Sequence, residues 1–182
     1  DNPYTFSKCV NEEVLQLYNK IYDLEYHMLY FYNVYGPREA DYGEYSTVVR
    51  AFKKCVEEGT PLRVFGSGRK QRDFTHIHDV IDGILKLLTT KSKPRNVHLG
   101  SGNPVSILDI AKAFDHDFIH EFDKPGEAEI TECEKPYIEP SYNVIAYIKK
   151  WKQDFEEEQI LHNVNKDLRK VEEKYAKIDS GQ

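Results

Sequence analysis

The run YHMLYFYNVYG, residues 26–36, constrains this chain more than any other stretch. It is almost continuously apolar or aromatic and stops at Gly36-Pro37, so it reads as a buried strand from Tyr26 to Val34. A helix precedes it. Asn2 can cap that helix and Pro3 fits its first turn. Phe6, Val10, Val14, Leu17 and Ile21 then recur at three- and four-residue steps, giving an amphipathic helix to about Tyr22.

The same alternation continues downstream. A second helix is expected from about Thr47 to Glu58, with Val48, Val49, Phe52, Cys55 and Val56 on its buried side and Gly59 as its stop. LRVFG and RDFTHI read as extended, and HDVIDGILKLLTT as a helix with Val80, Ile84, Leu87 and Leu88 inward. NVHLG is a strand, Ser106 caps the helix ILDIAKAF, and DFIHEF is a strand leading to DKPGE. Past Pro140 the chain is charged and helical; from Asp154 it lacks a strong apolar stripe until Val171, which predicts an exposed helix or partial disorder. Strands that alternate with helices make the class α/β.

The net charge of −6 argues against nucleic acid as a partner, because phosphate binding needs a basic footprint. No apolar run approaches the ~20 residues of a membrane span. Cys9, Cys55 and Cys133 are far apart and odd in number, which argues against a disulfide framework and for a reducing compartment, the cytoplasm. No CxxC or CxxH pair suggests zinc. HIHD at 76–79 offers two imidazoles and a carboxylate without further ligands nearby, and His116 and His120 share a face only if helical, so no metal is expected. The GSG triplets at 66–68 and 100–102 read as turns, and no strand is followed by GxGxxG.

Tyr4 and Lys8, in PYTFSK, lie one helical turn apart on one face. A phenol titrates near pH ~10. An adjacent ammonium favours the phenolate and lowers that value. Such a pair can move a proton on or off a sugar hydroxyl.

Five pieces occur in order: PYTFSK, FYNVYGPR, PLRVFGSGRKQRDFTHIHDV, VHLGSGNPVSILDIA and KPGE. Together they resemble the extended short-chain dehydrogenase/reductase family of nucleotide-sugar epimerases and dehydratases, over roughly residues 2–151. The resemblance implies the C-terminal part of a Rossmann-type NAD-binding domain plus the small α/β substrate-binding domain, over residues 1–153, followed by a charged tail over 154–182. The glycine-rich loop and the catalytic Ser or Thr of such an enzyme are expected in a preceding half that this chain does not include.

The resemblance also implies roles. Tyr4 is the expected catalytic base, and Lys8 its partner and a contact to the cofactor ribose; Tyr32 lies near the nicotinamide. Asn33 bonds the substrate diphosphate, and Arg72 clamps it with a planar guanidinium suited to paired phosphate oxygens. The plain alternatives are a turn for Asn33 and an ion pair with Asp73 or the nearby acidic surface for Arg72. Arg63, Val64 and Phe65 line the nucleotide base. Val48 and Val49 border the same pocket or sit in the core, and Lys124 and Glu127 contact diphosphate and ribose. The implied cofactor is NAD, the substrate a nucleotide-sugar, and the reaction 4-epimerisation through a transient keto-sugar. A 4,6-dehydratase, a decarboxylase or a truncated non-catalytic nucleotide-sugar-binding fragment are the alternatives. A homodimer through the helix 3–22 is expected for the full-length protein.

Three departures stand out. Tyr30 and Lys124 occupy positions where the family has arginine. After Glu132 the chain jumps to the closing segment, as if a helix over the nucleotide base were absent.

Overall fold

The structure is a computed structural model that describes residues 3–40, 46–91, 94–123 and 126–179, without the side chains of residues 4, 5 and 171–179. Helix α1 (Pro3–Tyr22) leads into strands β1 (Met28–Phe31) and β2 (Val34–Tyr35). Then come α2 (Val48–Glu58), β3 (Leu62–Phe65), β4 (Gln71–Asp73), β5 (Thr75–His76) and α3 (Ile77–Thr89). The chain continues through β6 (Asn96–Leu99), β7 (Pro104–Ser106), α4 (Ile107–Ala113), β8 (Phe118–Glu121), β9 (Ile130–Thr131) and α5 (Val144–Asp179). The mixed α/β class is as expected.

The strand expected over 26–34 is divided. β1 pairs in parallel with β6, whereas β2 pairs in parallel with β5. The break falls at Tyr32-Asn33, where Asn33 has φ 32°. Asparagine tolerates this left-handed region better than most residues. One apolar run therefore changes partners midway, and the change occurs at two of the candidate site residues. RDFTHI divides in the same way around the buried Phe74. The two- and three-residue strands β7 and β9 had no sequence signal. They exist because they pair with β4, β7 antiparallel and β9 parallel.

Helix α2 forms for local reasons. The Thr47 hydroxyl accepts from the Arg50 N–H at 3.2 Å, and Gly59, at φ 67°, ends the helix with its own N–H turned back to carbonyls of the last turn. Val49, Phe52 and Val56 join Leu62, Val64, Phe74, Ile110, Phe114, Val144 and Ile148 in the larger core. Lys53, buried on the same helix, reaches Glu39 at 3.2 Å and the Tyr147 hydroxyl at 2.8 Å, tying α2 to α5. The smaller core joins α3 to β6 through Val80, Leu87, Val97, Leu99 and Ile138.

Leu88, expected inward, is 67% exposed, and Ile84 is only half-buried. Gly83 is the reason. A Cβ there would stand 2.5 Å from Leu99 Cδ2, so α3 lies against β6 along Val80, Gly83 and Leu87, and the buried stripe rotates off Leu88. The α1 helix is as expected, but its apolar stripe of Phe6, Val10, Val14, Leu17 and Ile21 is exposed in this chain. Contacts to α1 include the Tyr30 hydroxyl, which donates to Glu12 at 3.2 Å, and Arg95, which donates to Asn19 at 3.1 Å. The 153/154 boundary expected from sequence falls inside α5, close to where that helix leaves the body: Phe155 still packs on the larger core, and residues 156–170 are exposed.

His76 caps α3 by accepting from the His78 N–H at 3.2 Å and stacks on Tyr142 at 4.0 Å. Burial lowers its pKa below the ordinary imidazole value, the charges of His78 and Lys53 add to this, and Asp79 opposes them. The unfolded chain therefore binds a proton that the folded chain resists. Stability contributed by the neutral ring is present above the unfolded value of about 6.5 and is lost as pH falls from there through the lower folded value. Urea midpoints between pH 5 and 8 are expected to fall on the acid side, with a shallower fall in His76→Asn, which can still cap. Equal slopes in the two proteins would exclude this role.

Candidate functional site

A cavity of about 350 Å³ opens between α2, β3, β4 and the start of α4. Its apolar wall is Val48, Ala51, Phe52 and Cys55 from α2, with Phe65 and Ile107; its polar side is Ser46, Arg63, Lys70, Arg72 and Glu127. The alternation of β3 explains who faces it. Leu62 and Val64 are fully buried in the core, so Arg63 and Phe65 point the other way. Five expected residues thus converge: Val48, Arg63, Phe65, Arg72 and Glu127. Val64 and Val49 do not, because each takes the core-facing phase of its element.

Cations and carboxylates alternate around the mouth. Arg63 meets Glu121 at 2.9 Å and Lys70 meets Asp123 at 2.6 Å. Arg72 is held more firmly. One terminal nitrogen donates to the carbonyls of Gln71 at 2.8 Å and Ala128 at 2.7 Å, and the other reaches Glu127 at 3.2 Å. Two carbonyls thus fix the plane of the guanidinium, while its remaining edge meets a half-exposed carboxylate that a stronger anion can replace. The ion pair suggested by sequence as a plain alternative does exist, with Glu127 as partner.

Asp73 is not that partner. It is fully buried, and its carboxylate accepts from Ser101 N–H at 2.8 Å, Ser101 Oγ at 2.6 Å, Gly102 N–H at 2.8 Å and Cys133 N–H at 3.0 Å. The GSG turn at 100–102 therefore cradles an anion supplied by the protein itself. Asn33 Nδ2 donates to the Asp73 carbonyl at 2.8 Å, which fastens the β1–β2 break beside Arg72. Asp73 is the positioning residue that sequence reasoning missed. Its signal, a carboxylate next to Arg72, suggested the wrong contact.

The Tyr32 hydroxyl pairs with His98 Nδ1 at 2.9 Å, and His98 stacks on Tyr30 at 4.6 Å. Burial, with Cys133 and Asp73 nearby, raises the Tyr32 pKa; burial and Glu12 raise that of Tyr30. Lys8 is exposed on α1, and no described residue of α1 lines the cavity. The side chain of Tyr4, and all of Lys124, lie outside the described residues. No helix stands between Glu127 and α5 among the described residues, in line with the short segment noted after Glu132. Among those residues no cluster of three or more His, Cys, Asp or Glu could hold a metal, and no helix is long and apolar enough to cross a membrane.

Parallel strand pairs flanked by helices, with this cavity at their edge, place the chain in the class of Rossmann-type α/β proteins. Its fold superimposes on a UDP-glucose 4-epimerase crystallised with UDP-glucose from Thermotoga maritima with a TM-score of 0.74, at 25% identity, over 86% of this chain and 54% of that one. The chain belongs to the NAD dependent epimerase/dehydratase family, whose sequence model matches residues 1–100. It is 35% identical over 133 residues to a putative UDP-glucose 4-epimerase of Methanocaldococcus jannaschii, covering 71% of this chain and 43% of that relative. A UDP-N-acetyl-alpha-D-glucosaminuronate decarboxylase of Bacillus cytotoxicus is 29% identical over 62% of this chain and 36% of its own. The chain spans about half the length of these relatives or less.

Proposed function

We propose that this chain supplies the catalytic helix and the substrate-holding part of an NAD-dependent nucleotide-sugar 4-epimerase. The observation that carries the reading is the convergence of Val48, Arg63, Phe65, Arg72 and Glu127 on one cavity. The apolar wall suits the flat faces of a base and ribose. Arg72 is aimed before any ligand arrives, so a diphosphate needs only to replace the Glu127 carboxylate on its open edge. Asn33 does not line the cavity, but its amide is fixed to the carbonyl of Asp73, the residue that follows Arg72.

NAD, when bound, accepts and returns the sugar hydride. The fit to this chain is partial. Gly66 and Gly68 are closed against Asp123 and Leu108, and the 100–102 turn is filled by Asp73, so neither glycine-rich turn is open to a dinucleotide. Tyr4, Lys8 and Tyr32 would serve only the nicotinamide end. Tyr4 takes the proton from the sugar hydroxyl and later returns it, with Lys8 one turn away favouring the phenolate. The exposed stripe of α1 supports a homodimer through this helix in the whole protein.

Arg72→Ala is expected to weaken UDP-glucose binding by roughly 2–4 kcal/mol, the range for removing one partner of a charge-assisted contact. Isothermal titration of both proteins measures it. An affinity unchanged within about threefold, or roughly 0.7 kcal/mol, would remove Arg72 from the site.

A further inference from the structure

With the diphosphate on Arg72 of β4, the base falls to the β3 side of the cavity, where Phe65 offers an aromatic face. That side carries a charged pair whose hydrogen-bonding groups are only partly used. β3 and β8 are parallel neighbours, with Arg63 opposite Ile119 and Phe65 opposite Glu121. Residues opposite each other on paired strands share a face, so Ile119 and Glu121 carry the cavity-facing side of β3 onto β8. The Arg63 guanidinium stands beside the Phe65 ring, 5.9 Å from its centre. Its Nε donates to Glu121 Oε1 at 2.9 Å, which holds the two charged groups side by side. Among the described residues, neither terminal nitrogen of Arg63 has a hydrogen-bond partner, and Glu121 Oε2 has none either.

We propose that the Arg63–Glu121 pair reads the edge of the base and selects oxo bases (uracil, thymine, guanine) over amino bases (cytosine, adenine). This rests on the nucleotide-sugar reading of the cavity and narrows it. The reason is the order of donors and acceptors. Uracil and thymine present the O4 acceptor beside the N3–H donor, and guanine presents O6 beside N1–H. A terminal nitrogen of Arg63 donates to the oxygen, and Glu121 Oε2 accepts from the neighbouring N–H. Cytosine and adenine carry the reverse order: an amino group replaces the oxygen, and a bare ring nitrogen replaces the N–H. Against this pair they would set donor against donor and acceptor against carboxylate, leaving both charged groups without a partner. The bond from Nε to Glu121 persists when an oxo base is bound, because the base uses only the terminal nitrogen and the free oxygen. The pair is thus arranged before the ligand arrives.

The test is isothermal titration of the 182-residue chain with UDP and with CDP. The two differ only at the base edge, so contacts to ribose and diphosphate cancel in the ratio of affinities. UDP is expected to bind about tenfold tighter, toward the lower end for a paired base edge because the Arg63 side chain is 62% exposed. GDP is expected to exceed ADP in the same sense. Arg63→Met keeps an apolar stem and removes the donors; it is expected to weaken UDP and bring the ratio to within about twofold of unity. Glu121→Gln supplies an amide that donates as well as accepts, so it is expected to strengthen CDP and narrow the ratio. Neither side chain belongs to a core, so both variants are expected to keep the fold. Equal affinities for UDP and CDP in the parent, or an unchanged ratio in either variant, overturns the proposal. Equal weakening of both ligands in Arg63→Met would make Arg63 a phosphate contact instead. If neither UDP nor CDP binds, the cavity reading falls and this one with it, whereas equal binding of the two sinks the base reading alone.

Discussion

Tyr4→Phe is expected to lower turnover of a nucleotide-sugar at least ~10³-fold, within the range for loss of a positioned acid–base group. The protein for this test joins the chain to a dinucleotide-binding half. Phenylalanine keeps the ring and removes only the hydroxyl, the one atom proposed to exchange a proton with the sugar. Lys8, the proposed contact to the cofactor ribose, is unchanged in this variant, so NAD is expected to stay bound. Product formation by NMR and bound cofactor by absorbance separate the two effects. Turnover within about tenfold of the parent would take Tyr4 out of its role, and loss of cofactor together with turnover would make it a binding residue.

Asp73→Ala is expected to destabilise the fold by about 3 kcal/mol or more, at about 1–3 kcal/mol for each buried donor left without an acceptor. Among the described residues the carboxylate accepts four hydrogen bonds, from the 100–102 turn and from Cys133, all of them from neutral donors. Alanine leaves the N–H groups of Ser101, Gly102 and Cys133 without an acceptor in a buried place. Three separate segments lose their common anchor: β4, the turn after β6 and the stretch after β9. Because Arg72 precedes Asp73 on β4, UDP-glucose binding is expected to weaken as well. Urea unfolding measures the stability term. A loss below about 1 kcal/mol would mean that water or a neighbour satisfies those donors.

The fold was legible where its causes are local. Thr47 and Gly59 bound α2, and Ser106 caps α4, because each acts on the backbone within a few residues. What depended on distant partners was not. Nothing near Asn33 says that the chain changes from β6 to β5 there. β7 and β9 are strands only because β4 lies between them. Leu88 carried the right spacing for the core, but Gly83 on the next face allowed the closer approach.

The site divided along the same line. The family resemblance located Arg63, Phe65, Arg72, Val48 and Glu127, and the fold brings them to one cavity. Val49 and Val64 were adjacent in sequence to cavity residues, and the helical and strand periods send them into the core. Asp73 was missed because its partners are at least 28 positions away in the chain. The tail was expected to lack an apolar stripe until Val171, yet Leu161, Val164 and Leu168 already stand exposed on α5, three and four residues apart within a charged segment.

The central claim is that the Arg72 cavity holds a nucleotide-sugar. Titrating the ¹⁵N-labelled chain with UDP-glucose locates the ligand residue by residue. The account predicts shifts that saturate together at Ser46–Cys55, Arg63–Arg72 and Glu127, and that vanish in Arg72→Ala. No saturable shift at millimolar UDP-glucose, or shifts confined to other faces of the molecule, would contradict it.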